Sequence, residues 1–235
     1  MNLKNFLKLL FPIPNNSTKT ATETEAAVVP TEPKTSQPFF IKSDLRLLII
    51  SDCHHLTEDE AAKLADLEYD LCFLLGDINE TYLKMILRFV PKEKTYGIHG
   101  NHDEHGLLES LGIANIHLKT INHHGVTILG YEGSPRYKRG AYVMKTQEEA
   151  QQDLKRAPSA DILISHDGPY KLYSENLSHS GFLGITEYLN THAVPINIHG
   201  HQHINSRKHH GNADIICIYR CALIELESST VTHIF

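Results

Sequence analysis

The chain has 235 residues, of which 41% are hydrophobic, so it can form one domain of ordinary size with a proper core and an additional tail. Its formal net charge of −6 argues against binding to nucleic acid through overall electrostatic attraction. No apolar run approaches the roughly 20 residues of a membrane span. Four cysteines without C-x-x-C spacing indicate neither a disulfide framework nor a zinc site. Reduced, structural thiols are the better interpretation, and they point to the cytoplasm.

The first 40 residues differ in composition from the rest of the chain. Residues 1–14 contain an apolar and basic stretch that predicts a short amphipathic segment, with a signal peptide as the rival interpretation. Residues 15–40 carry almost nothing large to bury and predict a disordered linker. We assign residues 41–235 to a single domain. Residues 1–14 then make either a weak peripheral membrane or protein contact, or none.

From residue 45 onward, the pattern of apolar residues predicts an α/β fold. Continuous apolar runs predict buried strands at residues 45–50, 71–75, 95–98, 126–129, 162–164 and 196–198. Capping boxes at Thr57 and Thr146, each with a glutamate three residues later, predict the starts of two helices. The first helix is expected to run to about residue 67, and two more are predicted at residues 83–90 and 182–189. Residues 214–235 alternate like antiparallel strands.

Five short polar clusters sit where apolar runs end. They are Asp52-Cys53-His54, Gly76-Asp77, Gly100-Asn101-His102-Asp103, His166 and Gly200-His201-Gln202-His203. In open α/β sheets, sites form beyond the carboxyl ends of strands, where loops from several strands converge. Asp, Asn and His in this number suit two adjacent divalent metals. The clusters together therefore predict a dinuclear metal site, which none of them predicts alone.

The spacing within the clusters suggests how the two metals would be shared. Asp52 and His54 are two residues apart, so both point to the same side of an extended strand end. Asp77 is the best candidate for the shared ligand, because a carboxylate has two oxygens. The predicted metal ligands are Asp52, His54, Asp77, Asn101, His166, His201 and His203. We expect two divalent transition metal ions. These nitrogen and oxygen ligands suit Mn, Fe, Zn or Ni better than Ca or Mg.

The five clusters resemble the blocks of the calcineurin-like metallophosphoesterase superfamily, which read D-x-H, G-D, G-N-H-[D/E], H and G-H-x-H. The resemblance implies a four-layer αββα sandwich of two mixed β-sheets flanked by helices. It implies hydrolysis of phosphoesters by attack of a metal-bridging hydroxide on phosphorus. It also implies that His102 donates a proton to the leaving alkoxide or stabilises charge. Asp103 would orient that imidazole, with a helix-capping or surface role as the alternative.

The loop at residues 133–140 is the predicted substrate side of the site. Its Arg136 is the candidate substrate-binding residue, because a planar guanidinium can hold a phosphate bidentately. An ordinary solvated loop is the alternative. His99, Tyr170 and His179 are weaker candidates for lining the site, since such residues more often serve packing.

One departure from the family pattern narrows the function. Serine/threonine phosphatases of this superfamily extend the second block to G-D-x-x-D-R-G, whereas this chain reads Gly76-Asp77-Ile78-Asn79-Glu80-Thr81-Tyr82. The missing arginine favours the branch of small bacterial-type phosphodiesterases, with a phosphomonoesterase as the nearest alternative. A phosphoprotein phosphatase, a nuclease and a non-catalytic scaffold of the same fold are the remaining alternatives. We expect a small phosphoester substrate and no strong nucleic-acid partner.

Overall fold

The computed structural model describes residues 41–140 and 143–235. The amphipathic segment predicted at residues 1–14 and the linker predicted at residues 15–40 lie outside the described residues. Within the described ranges, no helix combines the length and the apolar character that crossing a bilayer requires.

Two mixed β-sheets of six strands each form the centre of the domain. The first sheet has the order β14-β13-β1-β2-β3-β4, and its strands β1 to β4 run parallel to one another. Strand β13 pairs antiparallel with β1 and with the edge strand β14. Its strands are β1 (Arg46–Ser51), β2 (Leu71–Leu74), β3 (Thr95–Gly97), β4 (Ala114–Asn115), β13 (Arg220–Glu225) and β14 (Thr230–His233).

The second sheet has the order β11-β12-β10-β9-β6-β5. Its four central strands are parallel, and both edge strands pair antiparallel with their neighbours. Its strands are β5 (Thr120–His123), β6 (Val126–Tyr131), β9 (Ile162–Ser165), β10 (Ile196–His199), β11 (Ser206–His210) and β12 (Ala213–Cys217). A separate parallel pair is formed by β7 (Ser134–Pro135) and β8 (Met144–Lys145).

Helices cover the outer face of each sheet. They are α1 (Glu58–Ala62), α2 (Glu80–Ile86), α3 (Leu107–Ser110), α4 (Gln147–Lys155) and α5 (Leu183–Thr191), with 3₁₀ turns at Lys63–Asp66, Lys92–Lys94 and Leu177–His179. Buried residues of α1, α2 and α3 pack with the first sheet, and those of α4 and α5 pack with the second. A third apolar cluster lies between the two sheets. The result is the expected four-layer αββα sandwich.

Alternation along β1 shows how the sequence builds these layers. Leu47 and Ile49 join the cluster between the sheets, whereas Leu48 and Ile50 join the cluster beneath the helices. Successive side chains of a strand point to opposite faces, so a strand buried on both faces must be apolar throughout. All four side chains are fully buried, and each contributes about 1.5–3 kcal/mol to folding. The apolar run is therefore explained by the two covered faces of the sheet.

Most of the predicted elements are present, and a few differ in extent, type or pairing. Both capping boxes are confirmed, with Thr57 and Thr146 as N-caps of α1 and α4. The helix predicted to run to about residue 67 is helical over Glu58–Asp66, but its second half is the 3₁₀ turn and not α-helix. The helix predicted at residues 83–90 begins earlier, at Glu80, and ends at Ile86. The C-terminal stretch is expected to form antiparallel strands, and β12, β13 and β14 each have an antiparallel partner. Strand β12 also pairs parallel with β10 in the second sheet. Pairing of this kind depends on the arrangement of distant strands and leaves no trace in local alternation.

All four cysteines are free and buried, as the sequence predicts. Burial raises the pKa of the Cys53 thiol to about 12. A thiol with this pKa remains protonated at neutral pH and serves packing.

Arg220 holds the loop that follows β1. It has a positive φ of 71° at the start of β13, and its guanidinium donates two hydrogen bonds of 3.0 Å to the Glu60 carboxylate and one of 2.8 Å to the His55 carbonyl. Its other contact is the ring of Phe235, at 5.2 Å from the centroid. Because His55 directly follows the first polar cluster, this ion pair fixes the cluster to the sheet.

The Arg220–Glu60 pair predicts a pH-dependent stability difference. The Arg220 guanidinium lowers the pKa of Glu60 from 4.5 to about 2, so the pair stabilises the fold above pH 4.5 and loses that stability as the pH falls towards 2. We expect Glu60→Gln, which keeps the capping geometry, to cost about 1 kcal/mol at pH 7. Urea unfolding of the native chain and the variant at pH 7, 5 and 3 measures the difference between their free energies of unfolding. A difference that is the same at all three values would contradict the assignment.

Candidate metal centre

The polar clusters lie on loops that follow parallel strands of both sheets. Asp52 directly follows β1 and His166 directly follows β9. The loops are joined to one another by backbone hydrogen bonds, from Asp52 N to the Gly76 carbonyl at 3.0 Å and from Gly200 N to the His166 carbonyl at 2.9 Å. Between the two sheets, His201 N donates to Asp52 Oδ2 at 2.8 Å, so the carboxyl ends of the two sheets meet at one place.

All seven predicted ligands come together there. Two groups of side chains that could hold metal ions are present among the described residues: Asp52, Asp77, His166 and His201 in one, and Asp52, His54 and His203 in the other. Within each group the candidate ligand atoms lie within 4.8 Å of one another. The seventh residue, Asn101, places its Oδ1 3.0 Å from His166 Nε2. Asp52 is the member common to both groups, whereas the sequence suggested Asp77 as the shared ligand.

The Asp52 carboxylate has one oxygen that no hydrogen bond satisfies. Its Oδ2 accepts hydrogen bonds from Ser51 Oγ at 2.5 Å and from His201 N at 2.8 Å. Its Oδ1 is buried and has no hydrogen-bond partner among residues 41–140 and 143–235, although His203 Nε2 lies 3.3 Å away. An unsatisfied buried polar atom costs about 1–3 kcal/mol, more when it is charged. A cation coordinated by Oδ1 would remove this cost, so the residues present fit a metal site.

Two of the histidines are already oriented as metal ligands. His166 Nδ1 donates to the Leu75 carbonyl at 2.7 Å, which leaves Nε2 facing Asn101 Oδ1 and, at 3.5 Å, Asp77 Oδ2. His201 Nε2 lies 2.6 Å from the Ser178 carbonyl, which leaves Nδ1 as the nitrogen available to a metal. Metal-binding histidines typically donate their other ring nitrogen to a carbonyl in this way, which fixes the ring and the tautomer.

The charges at the centre are strongly coupled. Burial would lower the pKa of His166, but the neighbouring Asp77 carboxylate raises it to about 10. Burial likewise opposes ionisation of Asp77 and Asp52, yet contacts with His166 and His203 hold the pKa of each carboxyl below its usual range. Two buried carboxylates thus stay ionised, and the centre attracts positive charge.

Four of the predicted ligands have left-handed backbone conformations. The φ angles are 52° for Asp52, 54° for Asp77, 64° for His201 and 53° for His203. Residues other than glycine rarely adopt this region, and each instance costs roughly 1–3 kcal/mol. Such strain persists where the surrounding structure enforces it, and it concentrates at functional sites. The strained backbone of these four residues therefore lowers the stability of the fold while it brings their side chains together.

Asp103 does not orient the His102 imidazole, as the sequence suggested. Its Oδ2 accepts from the backbone N–H of Gly100 at 2.7 Å and of Asp77 at 2.9 Å, and its Oδ1 accepts from Ile78 N at 3.2 Å. Asp103 therefore ties the third polar cluster to the second. The His102 backbone N–H donates to Asp77 Oδ1 at 2.8 Å, and its side chain is exposed beside the centre.

The Arg136 guanidinium makes its hydrogen bonds to groups outside the set of candidate ligands. Its guanidinium donates to the Met144 carbonyl and to Glu149 Oε2, both at 3.1 Å. The next residue reaches the centre instead, because Asn101 Nδ2 donates to the Tyr137 hydroxyl at 3.5 Å. The sequence of a loop rich in basic residues does not reveal which side chain faces the candidate ligands. For this reason the sequence pointed to Arg136 and gave no sign of the contact made by Tyr137.

Of the three weaker candidates, His179 lies at the centre. Its ring stacks on His201 with centroids 4.7 Å apart and an interplanar angle of 22°, and it meets His203 edge-on at 6.2 Å. His99 is buried against Glu132, with Nδ1 and Oε2 3.2 Å apart, as a packing histidine would be. Tyr170 is 37% exposed, and Lys171 Nζ lies over its ring at 5.4 Å.

Family comparison agrees with this geometry. The model of the calcineurin-like phosphoesterase superfamily domain matches residues 45–219, which include every predicted ligand. The chain belongs to the calcineurin-like phosphoesterase superfamily. Members of this superfamily are metal-dependent and mostly hydrolytic, and some are non-catalytic. No curated protein sequence matches the chain.

Solved structures of this superfamily's fold resemble the chain at low sequence identity. Phosphopantetheinyl hydrolase from Mycobacterium tuberculosis is 12% identical over 77% of this chain and 91% of its own, with a TM-score of 0.53. A protein assigned as a 5'-nucleotidase from Staphylococcus aureus is 16% identical over 81% of this chain and 53% of its own, with a TM-score of 0.50. Vps29 from Entamoeba histolytica, solved with Zn²⁺, is 13% identical over 80% and 89%, with a TM-score of 0.45. The similarities to the first two structures show the fold.

The loop that carries Gly200 lies very close to Ser51 and Asp52. Adding a single methyl group at Gly200 therefore has a predictable effect. A Cβ at Gly200 would overlap Ser51 Oγ and Asp52 Oδ2, so Gly200→Ala must displace the shared carboxylate. We expect it to cost about 1–3 kcal/mol of stability and to lower metal affinity about 10–100-fold. Metal content and thermal unfolding measure both.

Gly125→Ala is the matched control for this substitution. Gly125 has a φ of +83° and open space around its Cα, so alanine there should cost about 1 kcal/mol through backbone strain alone. Metal content should not change. Normal metal binding by the Gly200 variant would contradict the steric argument.

Proposed function

We propose that this chain is a dinuclear metal-dependent phosphoesterase that prefers small phosphodiesters. The observation that carries the proposal is the set of seven ligands, complete and gathered around the unsatisfied Asp52 Oδ1. Membership of the superfamily supports the reaction class. The ligand set and the orientation of His166 and His201 support the need for metal.

The two groups of side chains suggest which residues would hold each ion. Asp52, His54 and His203 would hold one, and Asp77, Asn101, His166 and His201 would hold the other, with Asp52 or Asp77 shared. When bound, such ions supply an activated water and neutralise charge on the phosphoryl oxygens. Intermediate nitrogen and oxygen donors favour Mn, Fe, Zn or Ni.

His102 is the proposed proton donor. Its backbone is fixed to Asp77 Oδ1 while its imidazole is exposed towards solvent, so a substrate can reach the ring. A protonated imidazole nitrogen there transfers its proton to the departing alkoxide. Asp103 acts through the backbone, because it holds Gly100 and Asp77 at fixed positions on either side of the loop. It is therefore a positioning residue.

The preference for diesters rests on the charges around the centre. Asn79 caps α2 by accepting from Tyr82 N, so the segment that would carry the phosphatase arginine starts a helix here. Within the described residues, the ion-pair partners of Asp52 and Asp77 are both histidines. A diester carries one negative charge at phosphorus, and a monoester carries up to two. The smaller charge needs less neutralisation, which favours the diester.

The alternatives differ in what they require of the centre. A non-catalytic scaffold needs neither the seven ligands nor the strained backbone that aims four of them. A nuclease needs contacts along a phosphate backbone, and the net charge of −6 does not favour them. The same assays separate all three functions.

Metal stoichiometry tests the dinuclear arrangement. If Asp77 is shared, Asp77→Ala should lose both ions, because neither site then keeps its full set of ligands. His54→Ala affects only the second group and should retain one ion per chain. Metal analysis after gel filtration gives the counts, with the native chain at two. Two ions retained by the Asp77 variant would contradict sharing.

Activity tests the reaction class and the role of His102. The native chain should hydrolyse bis(4-nitrophenyl) phosphate with a higher kcat/KM than 4-nitrophenyl phosphate, and a chelator should abolish both activities. His102→Ala should lower kcat by roughly 10²–10⁴ for esters with poor leaving groups. It should lower kcat less for 4-nitrophenyl esters, because that leaving group needs no proton.

Controls separate the competing interpretations. His102→Ala should keep the metal content of the native chain, since its side chain belongs to neither ligand group. An equal loss for good and poor leaving groups would contradict the acid role. A preference for the monoester would overturn the diesterase assignment, and hydrolysis of single-stranded DNA in preference to both would favour a nuclease. No hydrolysis by the metal-loaded chain would favour a scaffold.

A further inference from the structure

His179 stands at the metal centre without belonging to the ligand set. It lies outside the five polar clusters, on the 3₁₀ turn Leu177–His179, and its half-buried ring stacks on His201. Neither ligand group includes it, so its nitrogens are not placed to share an ion with the other side chains. Its position beside two proposed ligands therefore calls for another role.

The two nitrogens of His179 have different surroundings. Nδ1 lies 2.8 Å from Ser178 Oγ, whose hydroxyl hydrogen can be donated to it. With Nδ1 accepting, the ring hydrogen resides on Nε2. Within the described ranges, Nε2 has no hydrogen-bond partner, and it is not among the buried unsatisfied atoms. In this tautomer His179 offers an accessible N–H donor beside His201.

The turn that carries His179 is held firmly. Ser178 accepts from His201 Nε2 through its carbonyl at 2.6 Å, and the His179 carbonyl accepts from Gln202 Nε2 at 3.0 Å. Strand β7, at the base of the loop that bears Tyr137, packs against the same turn. Because Asn101 Nδ2 donates to the Tyr137 oxygen, the hydrogen of that hydroxyl is also free to donate. Two neutral donors thus approach the centre on adjoining loops.

We propose that His179 is a substrate-binding residue whose Nε2–H donates a hydrogen bond to a non-bridging phosphoryl oxygen of a monoanionic phosphodiester. It takes the place predicted for Arg136, whose guanidinium is bound to Glu149 and the Met144 carbonyl. This inference rests on the proposed phosphoesterase function and names a contact within it. An imidazole N–H needs no formal charge to donate, so it suits one negative charge better than two.

The test compares variants that separate the ring from its nitrogen. His179→Phe keeps an aromatic ring against His201 and removes the donor, while His179→Gln restores an N–H near the position of Nε2. We expect the phenylalanine variant to lower kcat/KM about 10–100-fold for methyl 4-nitrophenyl phosphate, the range for a hydrogen bond to a charged group. The glutamine variant should recover part of the loss. Metal content should equal that of the native chain.

Leaving groups distinguish this contact from acid catalysis. A donor to a non-bridging oxygen should give the same fractional loss for methyl 4-nitrophenyl phosphate and methyl phenyl phosphate, because it does not touch the departing oxygen. A proton donor would give a larger loss for the phenyl ester. His209→Phe is the matched control, since His209 is an exposed histidine at the edge of the second sheet. It should leave kcat/KM unchanged.

Binding of inorganic phosphate to the metal-loaded chain, followed by calorimetry, gives a readout that does not depend on turnover. His179→Phe should weaken this binding about tenfold. Unchanged phosphate affinity and kcat/KM in the phenylalanine variant would show that the ring only packs, and would overturn the inference. If the native chain hydrolyses no ester but phosphate affinity still depends on Nε2, the proposed reaction fails and the contact stands.

Discussion

The burial of Asp52 and Asp77 where the two sheets meet is the constraint on which the rest of the structure depends. Two carboxylates at the carboxyl ends of β1 and β2 are almost fully buried, and their ion-pair partners within the described chain are histidines. Buried charges are costly unless they are paired or bind metal. The surrounding loops must therefore supply imidazoles, and they must approach closely enough to do so. The requirement for small residues at Gly100 and Gly200 follows from that approach.

The same constraint explains why the loops are rigid. The ligand-bearing segments hold one another through Asp103, through the Ser178 carbonyl and through Arg220, which reaches from β13 to the loop after β1. These contacts offset the strain of the left-handed ligand residues. A metal site made this way is preorganised, so binding energy is not spent on arranging the protein.

Around this rigid centre, the substrate side is built from neutral groups. Arg136 is paired with Glu149, while the Tyr137 hydroxyl accepts from Asn101 and the His179 ring stacks on His201. A centre that held the two proposed cations would have less need of a guanidinium for a substrate that carries a single charge. The charges of the loops and the proposed preference for diesters therefore have one physical origin.

Much of the fold and of the ligand set could be predicted because both are local in the sequence. Apolar runs mark strands, capping boxes mark the starts of α1 and α4, and ligands follow the strands directly. The contacts of Asp103, Arg136 and His179 could not be predicted, since each depends on partners from other segments.

By itself, the sequence determined the α/β pattern, the identity of the seven ligands and the absence of the phosphatase arginine. Only the tertiary structure decided that β12 and β13 belong to different sheets, that Asp52 is common to both ligand groups, and that His179 stacks on His201. Periodicity and capping act between neighbours in the chain. Strand partners, left-handed backbone angles and ring contacts are set by packing between distant segments, which leaves no local pattern to detect.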